Sequence, residues 1–271
     1  MKRPFIFLII CSAITELACS PTPNNPNTAT PANNSSSLQL QVNGEKLITE
    51  GLTSKDDWQV QFDHAYVHLN NVTASQKSNV EANDNQEINQ VLLLQEKTID
   101  LTKNDKPKTT ILVSKNPAKE GHYNSLSWQL NNAKNGPISG YSLVLIGNAT
   151  KNGKTLPFHI EFDQPIAFTC GEYVGDERKG VVTTGETADL EITLHFDHLF
   201  GNKNLPLTDD VNQGAFGFSP LAELAENQQV KLNIQQLKAQ LTPANWQKLQ
   251  NILLNLGHVG EGHCQGQFVA S

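Results

Sequence analysis

Charge is scarce in this sequence, and basic charge is scattered. Only 17% of the 271 residues are charged and the formal net charge is −7. Beyond the first residues no basic cluster is longer than a pair, so the chain offers nothing like the concentrated Lys and Arg that phosphate backbones require, and nucleic acid is excluded as a partner. Aromatic residues make up 7% and fall mostly on faces that read as core, which counts against an adhesion surface of exposed rings. There is no G-x-S-x-G elbow, no H-E-x-x-H and no phosphate-cradling glycine loop. Nucleophilic catalysis therefore has no signature, and the sequence points away from an enzyme without excluding one.

Long apolar runs are missing too. The longest, from Pro4 to Ile14, is too short to span a bilayer but suits the apolar core of a secretory signal, and Lys2 and Arg3 precede it. Residues 1–18 are read as that signal. Leu17-Ala18-Cys19 resembles the end of a bacterial lipobox, which makes Cys19 the expected lipidation site. Glu16 stands where leucine is usual, and an ordinary signal cut near Ala18 is the alternative. Ser20, rather than aspartate, favours the outer membrane by the same resemblance, so the expected location is the bacterial cell envelope, facing periplasm or surface. Residues 19–37 are rich in Pro, Asn, Ser and Thr and lack charge. Such a segment buries too little apolar surface to offset its ordering entropy, and is expected to be a tether to the membrane. Residues 38–271 remain for the folded domain.

Of four cysteines, Cys11 leaves with the signal and Cys19 is the lipid site, leaving Cys170 and Cys264. In an exported chain the simplest expectation is a disulfide between them. The alternatives are two thiolate ligands for one metal, or two free thiols.

Alternation dominates the folded region. Leu38, Leu40 and Val42 share a face before Asn43-Gly44, a pair that favours a hairpin turn. Leu143 and Leu145 alternate, Asn152-Gly153 turns the chain, and Leu156, Phe158, Ile160 and Phe162 alternate on the return. Leu190, Ile192, Leu194 and Phe196 repeat the pattern. Shorter strands are expected at 58–62, 65–69, 91–95, 110–113 and 123–130. The apolar phase slips by one between Phe62 and Ala65, which predicts a bulge or break near Asp63. Near 219–257 the period becomes helical: Thr242 and Pro243 start a helix carrying Trp246, Leu249, Leu253 and Leu256, with Gly257 as its C-terminal cap. The fold class is mainly β, an antiparallel β-sandwich, Ig-like in style, with C-terminal helical elaboration.

Two histidine-rich stretches carry the chemistry. In "LHFDHLFG" (194–201) the alternation puts His195 and Asp197 on one strand face, with His198 at the strand end. In "GHVGEGHC" (257–264) His258 and His263 flank Glu261 among glycines that let the backbone fold tightly. A Cys170–Cys264 bond would bring the second stretch towards the first. His195, Asp197, His198, His258, Glu261 and His263 are therefore candidate ligands for one zinc or copper ion, since imidazole suits both. A glycine-rich surface loop with solvated histidines is the alternative. His64 and His68 would lie about 13 Å apart along a strand, too far to share an ion, and read as a polar strand face. Asp210, Asn212 and Gly214 have the spacing of a calcium loop, but Leu221 stands where its glutamate belongs, and a turn accounts for them equally.

"AYVHLNNVTA", "KTIDLTK" and "EGHYNSLSWQL" resemble stretches of exported bacterial lipoprotein β-sandwich domains, and the chain is similar in design to the MbnP-like periplasmic proteins. The resemblance implies an exported β-sandwich, copper binding and a redox partner in the periplasm such as a di-haem peroxidase. Trp58, Trp128 and Trp246 are well separated rather than forming that family's tryptophan-x-tryptophan signature, and no residue role is carried over from it. The expected function is an exported, lipid-anchored metal-binding protein without catalysis. A surface adhesion or structural module and a metal-dependent enzyme are the competing readings.

Overall fold

A computed structural model describes residues 35–77, 87–103, 111–171, 179–260 and 262–270. The expected signal, most of the expected tether, Cys19 and Glu261 lie outside the described residues.

Leu38, Leu40 and Val42 enter the core fully buried on β1 (Ser37–Asn43). Asn43-Gly44 does not make the expected hairpin. The Asn43 Oδ1 accepts the Glu45 N–H at 2.8 Å, and α1 (Glu45–Glu50) follows. Next come β2 (Leu52–Thr53) and β3 (Gln59–Lys77), one long strand where the sequence suggested two short ones. Its register shifts between Phe62 and His64, a bulge at Asp63 rather than a break, one of the two outcomes the phase slip predicts. The chain continues through β4 (Glu87–Asp100), β5 (Ile111–Pro117), β6 (Gly121–His122) and β7 (Ser125–Leu130). A hairpin joins β8 (Leu143–Lys151) to β9 (Lys154–Phe162). Its two turn residues, Asn152 and Gly153, have φ of 50° and 78°, the left-handed values that a type I′ turn demands.

After β10 (Ile166–Gly171), β11 (Val181–Val182) and β12 (Thr187–Leu194) the helices begin. They are α2 (Asp197–Phe200), α3 (Asp210–Gly214), α4 (Ser219–Ala222), then α5 (Ile234–Gln240) after β13 (Val230–Asn233), and α6 (Pro243–Leu254). The Thr242 hydroxyl accepts from Asn245 N–H at 3.2 Å, capping α6 as expected. In α3 the Asn212 amide is buried and donates to the carbonyls of Asn202, Leu205 and Pro206. Asp210, Asn212 and Gly214 are thus a helical turn rather than a calcium loop. The chain closes with β14 (Gly257–Val259), β15 (Gly262–His263) and β16 (Gln265–Phe268).

Two sheets packed on one core form the expected sandwich. One is five-stranded, ordered β15-β14-β12-β1-β5; the other runs β13-β9-β8-β3-β7-β10-β16, with β2 and β4 also on β3. Most ladders are antiparallel, but β1 pairs with β12, and β13 with β9, in parallel. Leu38, Leu40, Leu190, Ile192 and Leu194 from the first sheet meet Val60, Leu69, Leu145, Trp128 and Phe168 from the second. His68 corrects the reading of a polar strand face: it is 7% exposed, and its Nδ1 lies 2.9 Å from the Thr98 hydroxyl.

Gly257 also differs from expectation. The cap of α6 is Asn255, and Gly257 is a strand residue pressed onto the Trp128–Phe168 stack. A Cβ there would lie 2.5 Å from Trp128 Cζ2 and 2.9 Å from Phe168 Cδ1. Gly257→Ala is expected to lose about 1–3 kcal/mol of stability through overpacking, measured by urea unfolding; unchanged stability would refute the close packing.

Candidate metal centre

Two elements of the first sheet bring the histidines together. β12 ends at Leu194, and the His195 N–H then donates to the Leu256 carbonyl at 3.0 Å. The chain turns at once into α2, so Asp197 and His198 sit on its first turn rather than on a continuing strand. His198 turns back over the strand end, its N–H on the His195 carbonyl at 3.3 Å and its Nδ1 3.2 Å from the Asn255 carbonyl. Across the ladder, His258 pairs with Thr193 on β12 and with His263 on β15. Cross-strand partners share a face, which is why these two rings meet.

The Cys170–Cys264 disulfide fixes this corner. Its Cα atoms are 4.3 Å apart, the residues are separated by 94 positions, and both are buried. Cys264 donates its N–H to the Gly257 carbonyl at 3.0 Å, while Cys170 belongs to β10 of the other sheet. One covalent bond therefore ties the His258–His263 hairpin to the opposite layer.

Four imidazoles gather here. His195 and His258 are stacked with centroids 4.0 Å apart, and His258 and His263 are 4.2 Å apart. His198 lies 5.1 Å from His258 and 5.8 Å from His263. His195, His198 and His258 each offer a nitrogen, all within 4.8 Å of one another, which makes them candidate ligands for one ion. His263 borders that trio without meeting the same limit.

His258 is the innermost ring, at 3% exposure, and its Nε2 is buried with no hydrogen-bond partner among the described residues. Burial, and then the neighbouring His195, His263 and His198, hold its pKa down to about 3. The ring is thus neutral at physiological pH, the form that binds metal.

Asp197 falls into a second group. With His195 and Glu45 it offers ligand atoms within 4.8 Å of one another. Glu45 was not visible as a site residue in the sequence: it stands at the start of α1, and only the parallel β1–β12 pairing brings it beside His195. On the far side, His198 and His263 border a mostly apolar cavity of about 570 Å³ between α3 and α6. The chain matches no protein-family model, no curated protein and no solved structure.

Proposed function

We propose that the protein binds one divalent transition-metal ion through His195, His198 and His258, with His263 closing the fourth position, and that it does so without catalysis while anchored to the cell envelope by a lipid on Cys19. The observation that carries this reading is His258 Nε2, a buried nitrogen with no hydrogen-bond partner among the described residues, set among three other imidazoles. An unsatisfied buried acceptor is costly, and a cation removes that cost. Binding splays the His195–His258 stack so that both nitrogens meet one ion.

Ligand chemistry narrows the metal. The two cysteines of the domain are bonded to each other and the chain's single methionine is Met1, so the centre offers nitrogen and oxygen but no sulfur. Zinc(II) and copper(II) fit such a set, whereas copper(I) prefers soft sulfur donors. The resemblance to MbnP-like proteins supports copper. A centre closed by four protein ligands holds its ion rather than activating water, which supports storage or delivery, with a redox protein of the periplasm as the partner in view.

Elemental analysis of the purified oxidised protein tests this. Metal is expected in the wild type after zinc or copper loading, with one equivalent fewer in His258→Ala. The same metal content in both proteins would sink the reading. Hydrolysis or oxidation catalysed by the loaded protein would instead favour a metal-dependent enzyme.

A further inference from the structure

The geometry points to a second cation position formed by Glu45, His195 and Asp197, sharing the His195 ring with the histidine centre. This inference rests in part on reading that centre as a metal site. His195 Nδ1 lies 3.5 Å from Glu45 Oε2 and 3.8 Å from Asp197 Oδ1. Charge-assisted hydrogen bonds are shorter, at about 2.7–2.9 Å. Ligands about 2.0–2.1 Å from a tetrahedral zinc are separated by about 3.3–3.4 Å, so these spacings lie nearer to the edges of a coordination polyhedron than to hydrogen bonds. Asp197 Oδ1 is closed to solvent and has no hydrogen-bond partner among the described residues, although the side chain as a whole is partly exposed. A cation between the three groups gives that oxygen a partner.

The surroundings differ from those of the histidine centre in the way a second position requires. Glu45, His195 and Asp197 line a polar cleft of about 550 Å³, together with Glu191, Lys179 and Lys46. Lys179 is paired with Glu191 at 3.4 Å, so its charge is already met. Glu45 is fixed by its N–H bond to Asn43 Oδ1 and by a left-handed backbone with φ of 59°. The cleft is open, its donors are mainly oxygen, and water can complete the coordination. The adjoining centre is nitrogen-rich, with His258 buried at its heart.

His195 Nδ1 faces the carboxylates. With an ion in the histidine centre alone, they orient the ring and raise its basicity, as outer partners of metal-bound histidines do.

Equilibrium dialysis of the full-length, disulfide-oxidised protein against zinc, followed by elemental analysis, tests the position. Two equivalents are expected in the wild type and one in the Glu45→Gln/Asp197→Asn double variant, whose isosteric side chains preserve the packing. Equal zinc content in wild type and double variant overturns the second position. His258→Ala reads the other centre separately: it is expected to lose one equivalent and keep the one at the carboxylates.

Discussion

Replacing Cys170 and Cys264 together by serine is expected to lower stability by about 4–5 kcal/mol and to weaken metal binding in the same protein. The bond closes a loop with a sequence separation of 94, and in the chain-entropy model a loop of that length restricts the unfolded chain by about this amount. The ladders that hold the rest of the segment are short. β16 pairs with β10 over only four residue pairs, and β15 contributes two residues to its sheet. The affected residue is known in advance, because His263 is covalently adjacent to Cys264 and His258 lies directly across the hairpin. Urea unfolding of wild-type and double-serine proteins measures the first effect, and zinc competition with a chelator measures the second. A stability loss below about 1 kcal/mol, or unchanged zinc affinity, would show that the hairpin holds its place without the latch.

How much of this was legible in the sequence depended on whether the cause was local. The β8–β9 hairpin was readable because Asn152-Gly153 meets its turn geometry within two residues, and the bulge at Asp63 because a period-two pattern cannot slip without one. Asn43-Gly44 carries the same turn signal and failed. β1 finds its partners far away, on β12 in parallel and on β5 antiparallel, so no strand was waiting two residues on. The disulfide followed from counting cysteines, and with it the meeting of the two histidine stretches. Glu45 did not follow from anything nearby. It reaches His195 through the parallel β1–β12 register, and no spacing within "NGEKLI" signals that contact. His68 was misread for a related reason: strand alternation implied an exposed face, but its cross-strand partner on β4, Thr98, sits against the ring.

Acid is expected to destabilise the metal-free protein well above the range in which carboxylates titrate, and His258 is the reason. Its pKa is held at about 3 in the folded state and returns to the ordinary histidine value, 6.5, when the chain unfolds. Between those values the unfolded chain carries one proton more than the folded one, so stability rises with pH through this window. The contribution is intact above pH 6.5 and is progressively lost as pH falls towards 3. The slope from one such group is at most about 1.4 kcal/mol per pH unit, so lowering pH from about 6.5 to about 4.5 should remove roughly 2–3 kcal/mol. Asp56 and Asp100, whose pKa values are depressed because hydrogen bonds outweigh the upward push of burial, add their own losses only as pH falls below the usual carboxylate range. The two effects therefore separate on the pH axis. Urea unfolding in the presence of a chelator, for wild type and His258→Leu, measures the first: leucine cannot titrate, so the gap between the two proteins should shift towards the variant by roughly 2–3 kcal/mol over that interval. Parallel stability curves from pH 7 to about 4.5 would mean that His258 is protonated in the folded protein, and a protonated ring in that cluster could not offer its nitrogen to a metal.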